Sequence, residues 1–219
     1  MVNKKPKPEN IPSFNPLDKR NIGESLARAV LKQDIGPLQP EKPFTAAGVY
    51  LIYYIGSFSP YREIAEKNRD NLYQWPIYVG KAVPAGRRKG GSDLDAKPGQ
   101  ALYNRLCEHA DSVDKAENLD RADFICRFLA VDDVWISLTE FLLVERFSPL
   151  WNGKVDGFGN HDPGSGRYNQ KRSPWDTVHP GRPWAYRLQP NKLDRKTILE
   201  KTEEFIVEAR HKISAPLPG

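Results

Sequence analysis

Cysteine is scarce in this chain. Cys107 and Cys126 are its only two, they do not form a C-x-x-C spacing, and neither a disulfide framework nor a zinc site is indicated. Long apolar runs are missing, so no segment approaches the roughly 20 residues that a membrane-crossing helix needs. The opening Met-Val-Asn-Lys-Lys-Pro-Lys-Pro lacks the apolar stretch of a secretory leader, and a soluble, cytoplasmic protein is the expectation. Internal repeats are absent. Low complexity is confined to residues 1–20, rich in Pro, Lys and Asn, which read as an arm. Charge of one sign does not dominate: Lys plus Arg number 33 against 28 Asp plus Glu, for a formal +5 and a sequence pI near 9.1. That excess suits a polyanion without requiring one.

Hydrophobic periodicity divides the remainder. A helix is predicted over Asn21–Lys32 from the stripe Ile22, Leu26, Ala29, Val30 and Leu31. The run GVYLIYYI, Gly48 to Ile55, is β-branched and aromatic and reads as a buried strand. Residues 57–75 form an insertion with Pro60 at a helix start and a helical pattern through Ile64 and Leu72, before a second strand at Ile77–Val79. A loop from Ala85 to Gln100 leads into a helix over Ala101–Lys115 with the stripe Leu102, Leu106, Ala110 and Val113. Residues 123–131 make a third strand, and Val134–Phe147 a helix apolar nearly all round, hence expected at the centre. From Asn152 to Asn191 there is little periodicity. A last amphipathic helix, about Arg195 to Lys212, uses Ile198, Leu199, Phe205, Ile206 and Val207. The order predicts a small α/β (α+β) sandwich with a short sheet. Its parts are an N-terminal arm and helix (1–45), a core (46–152) and a C-terminal loop and helix packed on that core (153–219).

The polar groups inside this pattern are the candidates for chemistry. Gly48-Val49-Tyr50 and Tyr78-Val79-Gly80 lie on the first two strands, an ordinary pairing if taken alone. Arg105 and His109 are one helical turn apart, and His109 falls over Leu102, so it should face the sheet. A hydrogen-bonded core histidine beside a snorkelling arginine would look the same. Glu140 projects between Ile136, Leu143, Val144 and Phe147, and a carboxylate among apolar neighbours is costly unless it is paired or holds a metal. Glu145 has a comparable setting near Leu138, Phe141 and Leu142, so the pattern leaves two candidates. A salt bridge to a core arginine such as Arg127 is the structural alternative. Pro149-Leu150-Trp151-Asn152 reads either as a helix stop and turn or as part of a site.

Taken in order, Gly48-Val49-Tyr50, Tyr78-Val79-Gly80, Arg105 with His109, Glu140 and Pro149-Leu150-Trp151-Asn152 resemble the motifs of the GIY-YIG nucleases. The resemblance covers about residues 46–152. Family spacing places the metal-binding glutamate about a dozen residues before the asparagine, which selects Glu140 over Glu145. Valine at both central motif positions and the long insertion depart from the general pattern. The insertion and His109 look like the type II restriction endonuclease branch, whose known members read the palindrome CCGCGG.

The resemblance implies that one Mg²⁺, replaceable by Mn²⁺, is bound by Glu140, that Arg105 grips the scissile phosphate, and that Tyr50 activates water with help from His109 and Tyr78. Asn152 then serves as scaffold, and Lys81 either meets a phosphate, lowers a tyrosine pKa, or is solvated. Double-stranded DNA is the implied partner of a homodimer, with a cognate methyltransferase in the same system. The inserted helix or the terminal arms are the expected dimer surface. Candidate DNA contacts are Lys81, Arg87, Arg88 and Lys89, and then Arg167, Lys171, Arg172 and Arg182, since arginine grips guanine edges and lysine tracks phosphates. Solvated basic loops are the alternative, and Trp175 and Trp184 read as anchors for their segment. A repair, junction-resolving or homing nuclease and a non-catalytic DNA-binding protein of the same fold are the rival readings.

Overall fold

The computed structural model describes residue 13, residues 15–84 and residues 97–213, with side chains described as far as Arg210. Four strands form one antiparallel sheet: β1 (Gly36–Pro37), β2 (Gly48–Tyr54), β3 (Pro76–Ala82) and β4 (Phe124–Ala130), in the spatial order β1-β4-β2-β3. Every residue of β2 is buried, as its unbroken apolar and aromatic composition requires. Gly48 opens β2 because a Cβ there would lie 2.1 Å from the Leu129 carbonyl oxygen of β4. The third residue of the GVY run, Tyr50, is thereby held in register with Phe128 on one side and Gly80 on the other.

Side-chain alternation splits the molecule into two layers of helix around the sheet. Val49, Leu51, Tyr53 and Val79 join the buried faces of α1 (Lys19–Leu31) and α4 (Asp133–Phe147). Tyr50, Ile52 and Tyr54 face the opposite layer, built from α2 (Arg62–Asn68), α3 (Ala101–Asp114), α5 (Pro174–Val178) and α6 (Arg195–Ile213). The fold is therefore α+β.

Most element bounds agree with the sequence periodicity to within a few residues, and the differences have physical causes. β1 is only two residues long and contains a proline, so it carries no alternating pattern. On α1 Val30 of the expected stripe is buried, but its companions are Gly23 and Ala27 rather than Ile22, Leu26 and Leu31, because small side chains let α1 and α4 approach. α4 is not central: Val134, Trp135 and Phe141 are exposed on its outer face, and only one side covers the sheet. Leu72 is likewise exposed, since α2 ends at Asn68, and Val207 faces outward on α6. Asn68 itself is buried and ends the insertion: its amide donates to the Tyr54 and Trp75 carbonyls and accepts from the Trp75 N–H, at 2.8–3.0 Å. All of its backbone partners lie at the ends of β2 and β3, so this one side chain returns the chain to the sheet.

A buried hydrogen-bond chain ties the insertion to the C-terminal segment. Trp151 Nε1 donates to the Tyr61 hydroxyl (3.1 Å), Tyr61 donates to His179 Nε2 (2.6 Å), and His179 Nδ1 donates to Asn118 Oδ1 (2.9 Å). Asn118 Nδ2 donates to the Val178 carbonyl, which leaves Oδ1 as the acceptor and fixes the tautomer of the neutral imidazole. Burial, and then the nearby Arg195 and Arg182, lower the His179 pKa from 6.5 to about 3. Burial and then Arg105 hold His109 well below 6.5 as well. Both imidazoles are neutral when folded and take up a proton only on unfolding. Their contribution is full above the unfolded pKa near 6.5 and is lost as pH falls below it, toward about 3 for His179, by up to roughly 1.4 kcal/mol per pH unit for each group. Urea midpoints should therefore fall steadily from about pH 7.5 to about pH 5, and His179→Gln should remove about half of that slope. An unchanged midpoint over this range would refute the neutral assignment.

Candidate active site

The register of β2 against β3 places Tyr50 opposite Gly80 and Ile52 opposite Tyr78, so both tyrosines share one face of the sheet. Gly80 is needed there: a Cβ would come within 2.3 Å of the Tyr50 hydroxyl oxygen. The phenol instead lies across the glycine, and its hydroxyl shares a 2.6 Å hydrogen bond with His109 Nε2. His109 projects from α3 in line with Leu102, as its spacing predicted, and is 1% exposed. Phe158 stacks on the imidazole at 4.4 Å, and Tyr78 meets its edge at 5.2 Å.

Burial, reinforced by Tyr78 across the strand pair and opposed by Arg105, pushes the Tyr50 pKa well above 10. The Tyr78 pKa is raised as well, again mainly by burial. At neutral pH the pair is a phenol hydrogen-bonded to a neutral imidazole, with the Arg105 guanidinium beside the hydroxyl. Arg105 is itself tightly held. Nη1 donates to Glu108 Oε2 at 2.8 Å and to His161 Nε2 at 2.7 Å, and Nη2 donates to the Gly159 carbonyl at 3.0 Å. These partners use three of the guanidinium's five N–H donors, and the guanidinium also hydrogen-bonds the Tyr50 and Tyr78 hydroxyls.

Glu140 reaches the same region from the other layer. α4 lies under the β3 edge, and Lys81, which points to the α4 side, pairs with Glu140 Oε2 at 2.7 Å. The pair is partly exposed, 35% and 25% respectively, so it stabilises the fold by no more than about 1 kcal/mol. The Lys81 ammonium is the cation seated on this carboxylate here. Among the described residues no group of three or more His, Cys, Asp or Glu could enclose a metal. A single hard-oxygen donor open to solvent suits Mg²⁺, which keeps most of its waters and uses one or two carboxylates together with substrate phosphate. Glu145 is exposed rather than set among apolar neighbours. Arg127, its suggested partner, donates to the Leu31 carbonyl and lies over the Tyr53 and Tyr73 rings at 5.3 and 5.8 Å.

Asn152 acts on the backbone of β3. As the outermost strand there, β3 turns N–H and C=O groups away from β2, and Asn152 takes up both at Val79: Oδ1 accepts from the N–H (2.8 Å) and Nδ2 donates to the carbonyl (2.7 Å). One side-chain amide thus replaces a neighbouring strand beside the tyrosine-bearing segment.

The basic residues separate into three groups. Arg87, Arg88 and Lys89 lie outside the described residues. Arg167 and Lys171 are exposed, whereas Arg172 donates to the Ala185 carbonyl and lies over the Tyr186 ring. Arg182 is not available to DNA. It is 1% exposed and paired with Asp176 at 2.6 Å, because its fork satisfies a set of buried carbonyls. Three residues at the site were not anticipated. Glu108 was legible as an i,i+3 partner of Arg105, but Phe158 and His161 come from an aperiodic segment roughly 50 residues away and carry no local signal.

An antiparallel sheet with helices on both faces and this tyrosine, histidine and arginine cluster at its edge fits the GIY-YIG fold. The family model of the Eco29kI GIY-YIG domain matches residues 42–206, and the chain belongs to that family, of the type II restriction-endonuclease kind. It is a nuclease that acts on DNA. No curated protein sequence matches the chain. The match runs beyond the 46–152 region of motif resemblance and takes in α5 and most of α6.

Asn152→Ala leaves the Val79 N–H and carbonyl without partners and should cost about 2–4 kcal/mol in urea unfolding. A loss within about 0.5 kcal/mol would show that water replaces the amide at no cost.

Proposed function

We propose that this protein is a type II restriction endonuclease that hydrolyses both strands of double-stranded DNA at a short palindrome, CCGCGG being the first site to test. Each protomer contributes one active site, and a two-fold homodimer meets the two equivalent scissile bonds of a palindrome. A cognate methyltransferase would protect the same site. The observation that carries this reading is the 2.6 Å hydrogen bond from Tyr50 to a buried, neutral His109, next to the Arg105 guanidinium.

A phenol pushed well above pKa 10 is a poor base unless its own proton can leave as it accepts another. The Tyr50–His109 pair supplies that route. A water on the phosphate attacks phosphorus, its proton passes to the Tyr50 oxygen, and the phenolic proton passes to His109 Nε2. The new P–O bond forms as the bond to the leaving oxygen breaks, and that oxygen takes a proton from solvent. Tyr78 fixes the phenol's position from the same face, and Arg105 turns its guanidinium from the tyrosine hydroxyls onto the phosphate. Glu140 is the residue that would hold Mg²⁺, with Mn²⁺ as a substitute, and such a cation would neutralise charge on the phosphoryl oxygens. Lys81 releases Glu140 for this role and is left free to meet a phosphate.

The relay needs His109 unprotonated. Its pKa is lowered, so the neutral form is present above that pKa and is lost only in acid: the acid limb of the single-turnover rate should lie below pH 6.5. A limb centred above that value would exclude His109 as the acceptor.

Incubation with plasmid and Mg²⁺, followed by sequencing of the product ends, tests the activity and reads the site directly. Glu140→Gln keeps size and a neutral oxygen but removes the charge that attracts a hard cation. Cutting should collapse, by about a hundredfold or more, while melting and duplex binding in Ca²⁺ survive. Glu145→Gln, on the exposed side of α4, should leave all three unchanged. Full cutting by Glu140→Gln would overturn the assignment.

A further inference from the structure

The Arg182 side chain is a buried cation with four hydrogen bonds and two aromatic neighbours. Nε donates to Asp176 Oδ1 at 2.6 Å, Nη1 donates to the Phe158 and Asn160 carbonyls at 3.0 and 3.1 Å, and Nη2 donates to the Gly157 carbonyl at 2.9 Å. The guanidinium lies over the Trp175 and Trp184 rings, 4.4 and 4.6 Å from their centroids. Asp176 is fixed in turn by a 2.6 Å hydrogen bond from Ser173 Oγ.

All three carbonyls belong to one turn, 157–160. That turn delivers the groups that surround the reactive residues: the Gly159 carbonyl and His161 each accept from Arg105, and the Phe158 ring stacks on His109. Only a planar fork satisfies a carboxylate and three carbonyls at once, since a lysine ammonium is a point charge with three donors. We propose that Arg182 is a positioning residue for Arg105, acting through the 157–160 turn and not by contact with DNA. The inference rests on the reading of Arg105 as the phosphate-binding group. It also accounts for two tryptophans in a segment without periodicity: they close a low-dielectric cage around the cation, where each of its hydrogen bonds is strengthened.

The test uses Arg182→Lys together with the milder Asp176→Asn, which keeps an acceptor for Nε while removing the charge. In the free protein, labelled with ¹⁵N-arginine, slow rotation of the Arg105 guanidinium should give separate Nη signals in the native chain. Those signals should average in both variants. With a CCGCGG duplex, binding in Ca²⁺ should be unchanged, and the single-turnover rate in Mg²⁺ should fall about tenfold or more. A variant that stays folded and keeps the native Arg105 signals overturns the proposal, as does a loss of duplex binding that matches the loss of rate. Unfolding of both variants would show that the pair holds the fold at large, and would overturn it too. If the native protein fails to cut DNA at all, the nuclease reading falls, while the Arg105 signals still decide whether Arg182 orders that side chain.

Discussion

The site depends on one steric fact, that the Tyr50 ring lies across a residue of the neighbouring strand that has no side chain. Gly80 permits the crossing, and the hydroxyl reaches His109 only because the ring can lie flat there. Side chains alternate along a strand, so a slip of one residue between β2 and β3 would send Tyr50 into the α1–α4 layer and replace it with an aliphatic group. The other elements pin that register. Gly48 accepts the close approach of β4 on one side, and the Asn152 amide occupies the outer hydrogen-bonding positions of β3 on the other.

The electrostatic arrangement follows from where the sheet ends. On the α3 side, burial favours the neutral forms of Tyr50, Tyr78 and His109, which suits a proton relay. On the α4 side, Lys81 and Glu140 sit near the β3 edge with part of their surface in water, where charge is cheap to keep. An edge strand lets the two kinds of group meet around its rim. A central strand would have kept them on opposite faces of a closed sheet.

The C-terminal segment belongs to the same machinery. Its aromatic residues, Phe158 and Trp175, complete the core beneath Trp151 and share the layer that contains Tyr50. Its turn at 157–160 supplies partners for Arg105 and a cover for His109. The extent of the family match, which ends at 206, agrees with a unit larger than the motif-bearing region.

The sequence by itself determined the major elements and, by a turn of helix, put His109 over Leu102, because these follow from local periodicity; that Tyr50 and Tyr78 share one side was decided by the β2–β3 register, which only the tertiary structure supplies. The i,i+3 spacing of Glu108 from Arg105 was a local signal that the sequence reading did not use. The sequence did not determine exposure along α4, where an almost uniformly apolar helix hides which side meets solvent, and so it gave Glu145 a burial that it lacks. The fate of the arginines was equally closed to it. Arg172 and Arg182 stand ten residues apart in one basic segment, yet Arg182 is sealed between two tryptophans while Arg167 stays in water. Local pattern records which residues are able to form a fork or a charge; only the tertiary structure decides which of them find buried carbonyls to satisfy, since those partners come from turns whose position no periodicity encodes.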